Sequence, residues 1–328
     1  MRIYSIIWTL ALFLILSATS ASSASRYFVT ATSLKQSPIE LPPVKVSPEF
    51  QSEINQLAAE GLKLKETTGA SLEVAIQHLA AIFERVNMKG QGATHEFRIL
   101  ESDGKTVKTL FTRKEFFFSF SALNETAKLN ATDINGDGIK EILVQSSSGG
   151  NCWACNPVEI YQVKNHQVKL IAAAPMQKIA DLNGDGIAEL VVADARWEFY
   201  GDLSHAASPS VKLIYAWKNG RYVNASRDFA DYYKAEIERL RLALDEAKAN
   251  ITTAEGSDDF YIGLAIALAI SYRHAGEIER GLKEFEALMN ANTRSPEQSK
   301  RRATIVRDFR LGDSADKLLQ IKYGDPLI

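Results

Sequence analysis

Two copies of one nine-residue phrase carry the strongest signal in this chain: Asp133-Ile-Asn-Gly-Asp-Gly-Ile-Lys-Glu141 and Asp181-Leu-Asn-Gly-Asp-Gly-Ile-Ala-Glu189. Each copy has oxygen-bearing side chains at its first, third, fifth and ninth positions, and glycines at its fourth and sixth. Glycine tolerates the positive φ that a tight turn requires. Ca²⁺ takes about six to eight oxygen ligands from flexible loops. The repeated phrase therefore predicts a pair of cation-binding loops.

Each copy offers most of one ligand shell from side chains and one main-chain carbonyl group. Three carboxylates within nine residues repel one another unless a cation neutralises them, so we expect two structural Ca²⁺ ions. The alternative is that the Asn-Gly and Asp-Gly pairs are simply hairpin turns. The candidate ligands are Asp133, Asn135, Asp137, Glu141 and the carbonyl of Ile139 in the first loop, and Asp181, Asn183, Asp185, Glu189 and the carbonyl of Ile187 in the second.

The residues after each loop argue against an EF-hand. An EF-hand needs a bidentate Glu at its twelfth position, where this chain has Val144 and Val192. The segments that follow are apolar and rich in β-branched residues, which favours a buried strand. A D-x-N-G-D-G-x-x-E loop that enters a strand resembles the FG-GAP or VCBS-type repeat of integrin-like β-propellers. The two copies begin 48 residues apart, at Asp133 and Asp181, within the range of repeat periods.

The resemblance implies an antiparallel β domain of propeller-blade-like repeats. Residues 93–226 contain apolar or alternating runs separated by turn residues. This length suits two to three repeats, whereas closed propellers have about four to eight blades. The predicted fold class is therefore α+β. The β domain is expected between an N-terminal helical hairpin, residues 47–92, and a C-terminal α-helical domain, residues 227–328.

The N-terminal hairpin is predicted from a start signal and a periodic run. Ser47-Pro48-Glu49 resembles an N-cap followed by proline at the first helical position. A second helix is predicted from Ser71 to Gly90, because its apolar residues recur at steps of three and four. These residues are Leu72, Ile76, Leu79, Phe83 and Val86.

The C-terminal domain contains several amphipathic helical patterns, and one pair resembles a tetratricopeptide hairpin. The match covers one repeat at most, and a solenoid usually needs at least three. We therefore expect a tetratricopeptide-like hairpin within a helical bundle. Peptide binding and plain core packing both stay open as its role. The matching residues are Leu268, Ala269, Tyr272, Gly276, Gly281 and Phe285.

Cys152 and Cys155 are the two cysteines of the chain. In an exported protein a disulfide between them is the first expectation. A thiol–disulfide role is one alternative, because a C-x-x-C motif can lower the pKa of a thiol. However, Pro157 and a strand-like segment follow the pair instead of a helix. Zinc binding is another alternative, for which His166 is near but further ligands are needed.

The N-terminus is typical of a secretory signal peptide. Arg2 supplies the positive charge, residues 6–16 are nearly all apolar, and small residues near Ala24 offer a cleavage site. We expect residues 1–24 to be removed and residues 25–46 to form a flexible lead-in. The cleavage site has no cysteine for a lipid anchor, and no later apolar run reaches spanning length. The predicted location is secreted or periplasmic, and an uncleaved anchor is the alternative.

The charge balance and the motifs limit the function classes. With 38 basic and 40 acidic residues, the chain lacks the positive surplus that nucleic-acid binding uses. It has no G-x-S-x-G, H-E-x-x-H or glycine-rich phosphate motif. We therefore predict a non-enzymatic calcium-binding protein that acts as a binding or scaffolding module for a protein or glycan partner. Two alternatives remain: an envelope thiol–disulfide protein that uses Cys152 and Cys155, and a carbohydrate-active enzyme or its accessory module.

Overall fold

The computed structural model covers most of the chain after the predicted lead-in. The predicted signal peptide, residues 1–24, lies outside the described residues. So do residues 25–45 of the lead-in and the part of the C-terminal region after residue 310. The described residues are 46–73, 76–86, 93–120, 129 and 131–310.

Over the described residues the fold is α+β, which confirms the predicted class. Among the α-helices whose bounds are described, one precedes the strands and four follow them. The strands are β1 (Lys63–Glu73), β2 (Ile76–Val86), β3 (Ala93–Ser102), β4 (Val107–Glu115), β5 (Phe117–Ser119), β6 (Glu141–Ser147), β7 (Val158–Lys164), β8 (Gln167–Ala174), β9 (Met176–Ala180), β10 (Glu189–Ala193), β11 (Lys212–Lys218) and β12 (Arg221–Asn224). The helices are α1 (Pro48–Ala59), α2 (Ala230–Lys248), α3 (Asp259–His274), α4 (Ile278–Asn290) and α5 (Pro296–Arg310).

The described strands form three sheets, each a meander of four consecutive antiparallel strands: β1–β4, β5–β8 and β9–β12. A four-stranded antiparallel sheet is the unit of a propeller blade. Only the second and third sheets lie wholly within the predicted β domain, residues 93–226, because the first sheet begins at Lys63. The two predicted cation loops lie in equivalent places. Each one leads into the second strand of its sheet, β6 in the second sheet and β10 in the third.

The second sheet lies between the other two, and its strands serve two cores. On β6, Ile142 and Val144 belong to a core shared with the first sheet, whereas Leu143 belongs to a core shared with the third. Alternate residues of a strand point to opposite faces, so β6 is apolar throughout its centre. Helices cover the two outer faces, where Phe50 of α1 packs on the first sheet and Tyr233 of α2 on the third.

Over its described residues the predicted helix from Ser71 to Gly90 is wrong, because Lys63–Glu73 and Ile76–Val86 pair as antiparallel strands. The centre of β2, residues 79–83, is buried on both faces. A strand without a polar face shows no alternation, so its apolar residues also satisfy helical spacing. The first helix of the predicted hairpin is present as α1. On β2, Leu79, Ala81 and Phe83 face α1, while Ala80 and Ile82 face the second sheet.

The described part of the C-terminal region, up to residue 310, is helical, as predicted. In the pair that resembles a tetratricopeptide hairpin, α3 is buried along most of its length and α4 packs closely on it. A Cβ atom at Gly281 would lie 2.5 Å from Cβ of Tyr272, so only glycine fits this approach. The buried residues of α2 include the stripe that its spacing predicts: Tyr233, Ile237, Leu240, Leu244 and Ala247.

Gly263 of α3 provides a test of the helix packing. A Cβ atom there would lie 2.0 Å from the carbonyl oxygen of Ala207. We expect Gly263→Ala to lower the free energy of unfolding by about 2 kcal/mol or more through overpacking. The expected loss is opposite in sign to the gain of about 1 kcal/mol that alanine gives over glycine in a helix interior. Urea unfolding of the wild type and the variant measures the difference.

Leu242→Ala is the control, because that α2 side chain is 69% exposed. Its effect should stay within about 0.5 kcal/mol. A Gly263→Ala protein as stable as the wild type, or more stable, would contradict the close contact between α3 and residue 207.

Candidate metal centre

The first loop closes on itself before β6 begins. The Glu141 amide donates to the carbonyl of Thr132 (2.9 Å), and the Ala131 amide donates to the carbonyl of Glu141 (3.0 Å). Between these bonds the chain turns with positive φ at Gly136 (72°) and Gly138 (85°). Residues with a Cβ atom rarely adopt such angles, which explains the glycines at the fourth and sixth positions. The loop thereby brings its first and ninth residues together.

The carboxylate of Asp133 organises the first loop. Its Oδ1 atom accepts hydrogen bonds from the amides of Gly136 (2.8 Å) and Asp137 (3.2 Å), and its Oδ2 atom accepts one from Gly138 (2.8 Å). The side-chain oxygen of Asn135 accepts from the amide of Asp137 (3.0 Å). Amides that turn inward in this way direct the oxygen-bearing side chains toward one small volume.

The second loop repeats the same pattern around Asp181. Its Oδ1 atom accepts from the amides of Gly184 (2.6 Å) and Asp185 (3.2 Å), and its Oδ2 atom accepts from Gly186 (2.9 Å). These amide donors lower the pKa of Asp181 below its ordinary value, the Gly186 amide most of all. The amides of Ile139 and Ile187 also donate within their loops, to Asp137 (3.0 Å) and Asp185 (2.8 Å).

A buried glutamate ends each loop. Glu141 is 0% exposed and Glu189 is 1% exposed. The Oε2 atom of each accepts the amide of the second loop residue, Ile134 at 2.9 Å and Leu182 at 2.8 Å. Burial raises the pKa of Glu141 to about 7, and the charges of Asp137 and Asp133 act in the same direction. Burial likewise raises the pKa of Glu189.

The carboxylates of the first loop lie at a spacing that suits a calcium ion. Asp133, Asp137 and Glu141 each offer an oxygen, and these atoms all lie within 4.8 Å of one another. Calcium–oxygen distances are about 2.3–2.6 Å, so oxygens on opposite sides of the ion are separated by slightly less than 5 Å. Among the residues that the structure describes, this is the only group of three metal-binding side chains gathered so closely. The donor set therefore fits a hard cation.

The structure adds Gln162 of β7, which the sequence analysis missed. It pairs with Glu141 across the β6–β7 ladder. Its Nε2 atom donates to Oδ1 and Oδ2 of Asp137 (3.0 and 2.8 Å) and to Oε1 of Glu141 (3.0 Å). The amide therefore contacts two of the three clustered carboxylates. Only the strand register brings it there, so the local motif gave no signal.

The second loop is more open than the first. Asn183 is exposed, whereas its counterpart Asn135 is 1% exposed. The Nδ2 atom of Asn183 donates to Asp185 (3.0 Å). A cavity of about 160 Å³ adjoins this loop, and Ala216 and Lys218 of β11 are among its lining residues. Ala216 has no amide comparable to that of Gln162, and Lys218 brings a positive charge. We therefore expect the second loop to bind a cation more weakly than the first.

The two loops contact each other and form one centre. The Ala188 amide of the second loop donates to the carbonyl of Ile134 in the first loop (2.8 Å). The Tyr222 hydroxyl donates to the carbonyl of Ala188 (3.2 Å). Burial raises the pKa of this tyrosine above its ordinary value, and carboxylates of both loops, Glu141 and Glu189 foremost, act in the same direction. A cation in one loop would therefore change the field at the other.

The cysteine loop is a separate feature at the other end of β6. A strand of seven residues spans roughly 20 Å, and the first cation loop and the cysteines lie at its two ends. Cys152 and Cys155 form a disulfide. The amide of Trp153 donates to both carboxylate oxygens of Glu198 (3.2 Å each), and the chain then enters β7. Reactive thiolates are favoured by positive neighbours or a helix N-terminus. Here Cys152 precedes only a three-residue 3-10 helix, Trp153–Cys155, and Glu198 is an acidic neighbour.

Comparison with known proteins does not supply a function for this centre. No protein-family model matches the chain, and no curated protein matches it. Within the described residues, none of the helices is long and apolar enough to cross a membrane. No function is therefore transferred to this chain from a matched family or protein.

Glu141 predicts a pH dependence of stability in the metal-free protein. Its pKa rises from 4.5 in the unfolded chain to about 7 in the folded chain. The folded state therefore keeps a proton that the unfolded state loses, and this stabilisation is fully present below pH 4.5 and is lost as the pH rises through 7. In EDTA, wild type should lose roughly 3 kcal/mol of unfolding free energy relative to Glu141→Gln between pH 4.5 and 8.

Urea unfolding at several pH values, always in EDTA, measures this difference. Glu246→Gln, at an exposed position of α2, is the matched control and should follow the wild type at every pH. Parallel pH profiles for the wild type and Glu141→Gln would show that the buried carboxyl does not titrate as described.

Proposed function

We propose that this protein is an exported, non-enzymatic calcium-binding protein. Two structural Ca²⁺ ions would organise its β domain, which would act as a binding or scaffolding module in the cell envelope or extracellular space. The observation that carries the proposal is the cluster of Asp133, Asp137 and Glu141, with ligand oxygens within 4.8 Å of one another. The export rests on the signal-like N-terminus, and the module role on the resemblance to FG-GAP and VCBS-type repeats.

The ion in the first loop would be held by residues of one short segment and would join that segment to β6. Asp133, Asn135, Asp137, Glu141 and the carbonyl of Ile139 are its candidate ligands. The ion would neutralise three carboxylates that otherwise repel one another, one of them buried in the protein interior. A structural role follows, because the ion offsets the cost of placing Glu141 at the start of a central strand.

The second ion would act in the same way at β10, with Asp181, Asn183, Asp185, Glu189 and the carbonyl of Ile187 as its ligands. Extracellular calcium modules bind with dissociation constants of about 10⁻⁴ to 10⁻³ M. Affinities of this order keep such loops filled outside the cytosol, which is consistent with an exported protein. The proposed partner is a protein or a glycan, and no nucleic acid is expected, given the balanced charge.

Calcium-dependent stability tests the proposal. The melting temperature of the wild type should rise with millimolar calcium relative to EDTA. At calcium concentrations of about 10 to 100 times the dissociation constant, each site contributes about 1.4 to 2.7 kcal/mol. Asp133→Ala should remove most of this rise, and Asp181→Ala a smaller part, because the second loop is more open. Thermal melts of each protein across a calcium series measure these shifts.

Asp231→Ala is the matched control, because this aspartate is 93% exposed and lies on α2. Its melting temperature should rise with calcium as that of the wild type does. If Asp133→Ala and Asp181→Ala lower stability equally in EDTA and in calcium, the loops are hairpin turns and the metal assignment fails.

A further inference from the structure

One peptide group serves both of the predicted calcium loops. It joins Ile187 to Ala188, and its carbonyl is a candidate ligand of the second loop. Its N–H donates to the carbonyl of Ile134 in the first loop (2.8 Å). Because this peptide group is trans and planar, its N–H and C=O point in opposite directions. The bond to the first loop therefore sets the direction of a ligand carbonyl in the second loop.

Ile134 is itself held by the first loop. It is 3% exposed, and its amide donates to Oε2 of Glu141 (2.9 Å), which is a candidate ligand of the first ion. Hydrogen bonds thus lead from a ligand of the first loop, through Ile134, to the peptide group that carries the Ile187 carbonyl. A change in the position of Glu141 would reach the second loop along this route.

The side chain of Ile187 adds a packing contact between the loops. A Cβ atom at Gly136 would lie 3.2 Å from Cγ1 of Ile187 and 3.5 Å from Cδ1. At Gly184, the same position of the second loop, a Cβ atom would have no neighbour within 4 Å among the described residues. The amide of Gly136 donates to Oδ1 of Asp133 (2.8 Å). Ile187 therefore packs on the part of the first loop that positions one of its ligands.

We propose that the two loops bind calcium cooperatively, so that an ion in either loop raises the affinity of the other. This inference rests on the proposed calcium function. An ion in the first loop would restrain Asp133 and Glu141. These carboxylates fix Gly136 and Ile134, which hold the shared peptide group, so the second loop has less disorder to lose when it binds its own ion. A ligand that rigidifies a shared structure favours a second ligand in this way, and linkage makes the effect reciprocal.

Charge alone predicts the opposite sign. A loop that has bound Ca²⁺ is less negative than the empty loop, so it attracts a cation to its neighbour less strongly. Asp133→Ala leaves two carboxylates in an empty first loop, which is more negative than three carboxylates with a bound Ca²⁺. Tighter binding beside a filled loop would therefore come from the contacts between the loops.

Equilibrium dialysis of the full chain across a calcium series tests the coupling, at constant ionic strength and at a pH above the Glu141 pKa of about 7. Asp133→Ala and Asp181→Ala each keep one loop and give the two single-site binding constants. The constant for binding both ions to the wild type, divided by the product of these two, is the coupling factor. We expect a factor of about five or more, whereas independent loops give a factor of one. Asp137→Asn and Asp185→Asn, which keep the side-chain shape, replace any alanine variant that does not fold.

The same measurements in an Ile187→Ala background test the route of the coupling. This substitution keeps the ligand carbonyl and every charge but removes the contact with Gly136, so the coupling factor should fall toward one. Ile278→Ala is the matched control, because this side chain of α4 is 47% exposed, and it should leave the factor unchanged.

Three results would overturn the coupling and leave two calcium sites in place: a factor of one or less in the wild-type background, a factor unchanged by Ile187→Ala, or an equal fall with Ile278→Ala. A wild-type chain that binds no calcium would overturn the proposed function itself.

Discussion

The β domain must bury a carboxylate at the start of a central strand, and this requirement constrains the rest of the domain. Glu141 begins β6 and Glu189 begins β10, and both are almost fully removed from solvent. An ionised carboxylate in such a place is costly unless hydrogen bonds or an opposite charge compensate it. Glu141 accepts the main-chain amide of Ile134 and the side-chain amides of Asn135 and Gln162. Glu189 accepts the main-chain amide of Leu182, and two aspartates add negative charge beside each glutamate. The loop thus concentrates charge that a cation is well suited to neutralise.

The two loops lie where the second and third sheets meet, so the burial of these carboxylates also affects how the sheets pack. β6 contributes to the core on each side of the second sheet, and the hydrogen bond from Ala188 to Ile134 joins the loops of the second and third sheets. Any movement of Glu141 would therefore affect both the strand that supports two cores and the neighbouring loop. We infer that calcium acts on the junction between these sheets and not on a single turn.

Much of the candidate site could be predicted from the sequence because it is local. Nine consecutive residues contain the ligand types, the turn glycines and the start of the strand, so the loops need no long-range information. Gln162 needs the β6–β7 register, which no local motif contains. The hairpin of β1 and β2 was missed for a different reason: residues 79–83 are buried on both faces, so their apolar spacing also fits a helix.

Calcium stoichiometry tests the central claim most directly. The full chain and its Asp133→Ala variant are dialysed to equilibrium at about 10 mM calcium, roughly ten times the upper dissociation constant of such sites, and the metal content of each protein is compared with that of the surrounding buffer. We expect nearly two calcium ions per chain in excess of the buffer for the wild type and about one for Asp133→Ala. A protein with no calcium above the buffer level would contradict this claim.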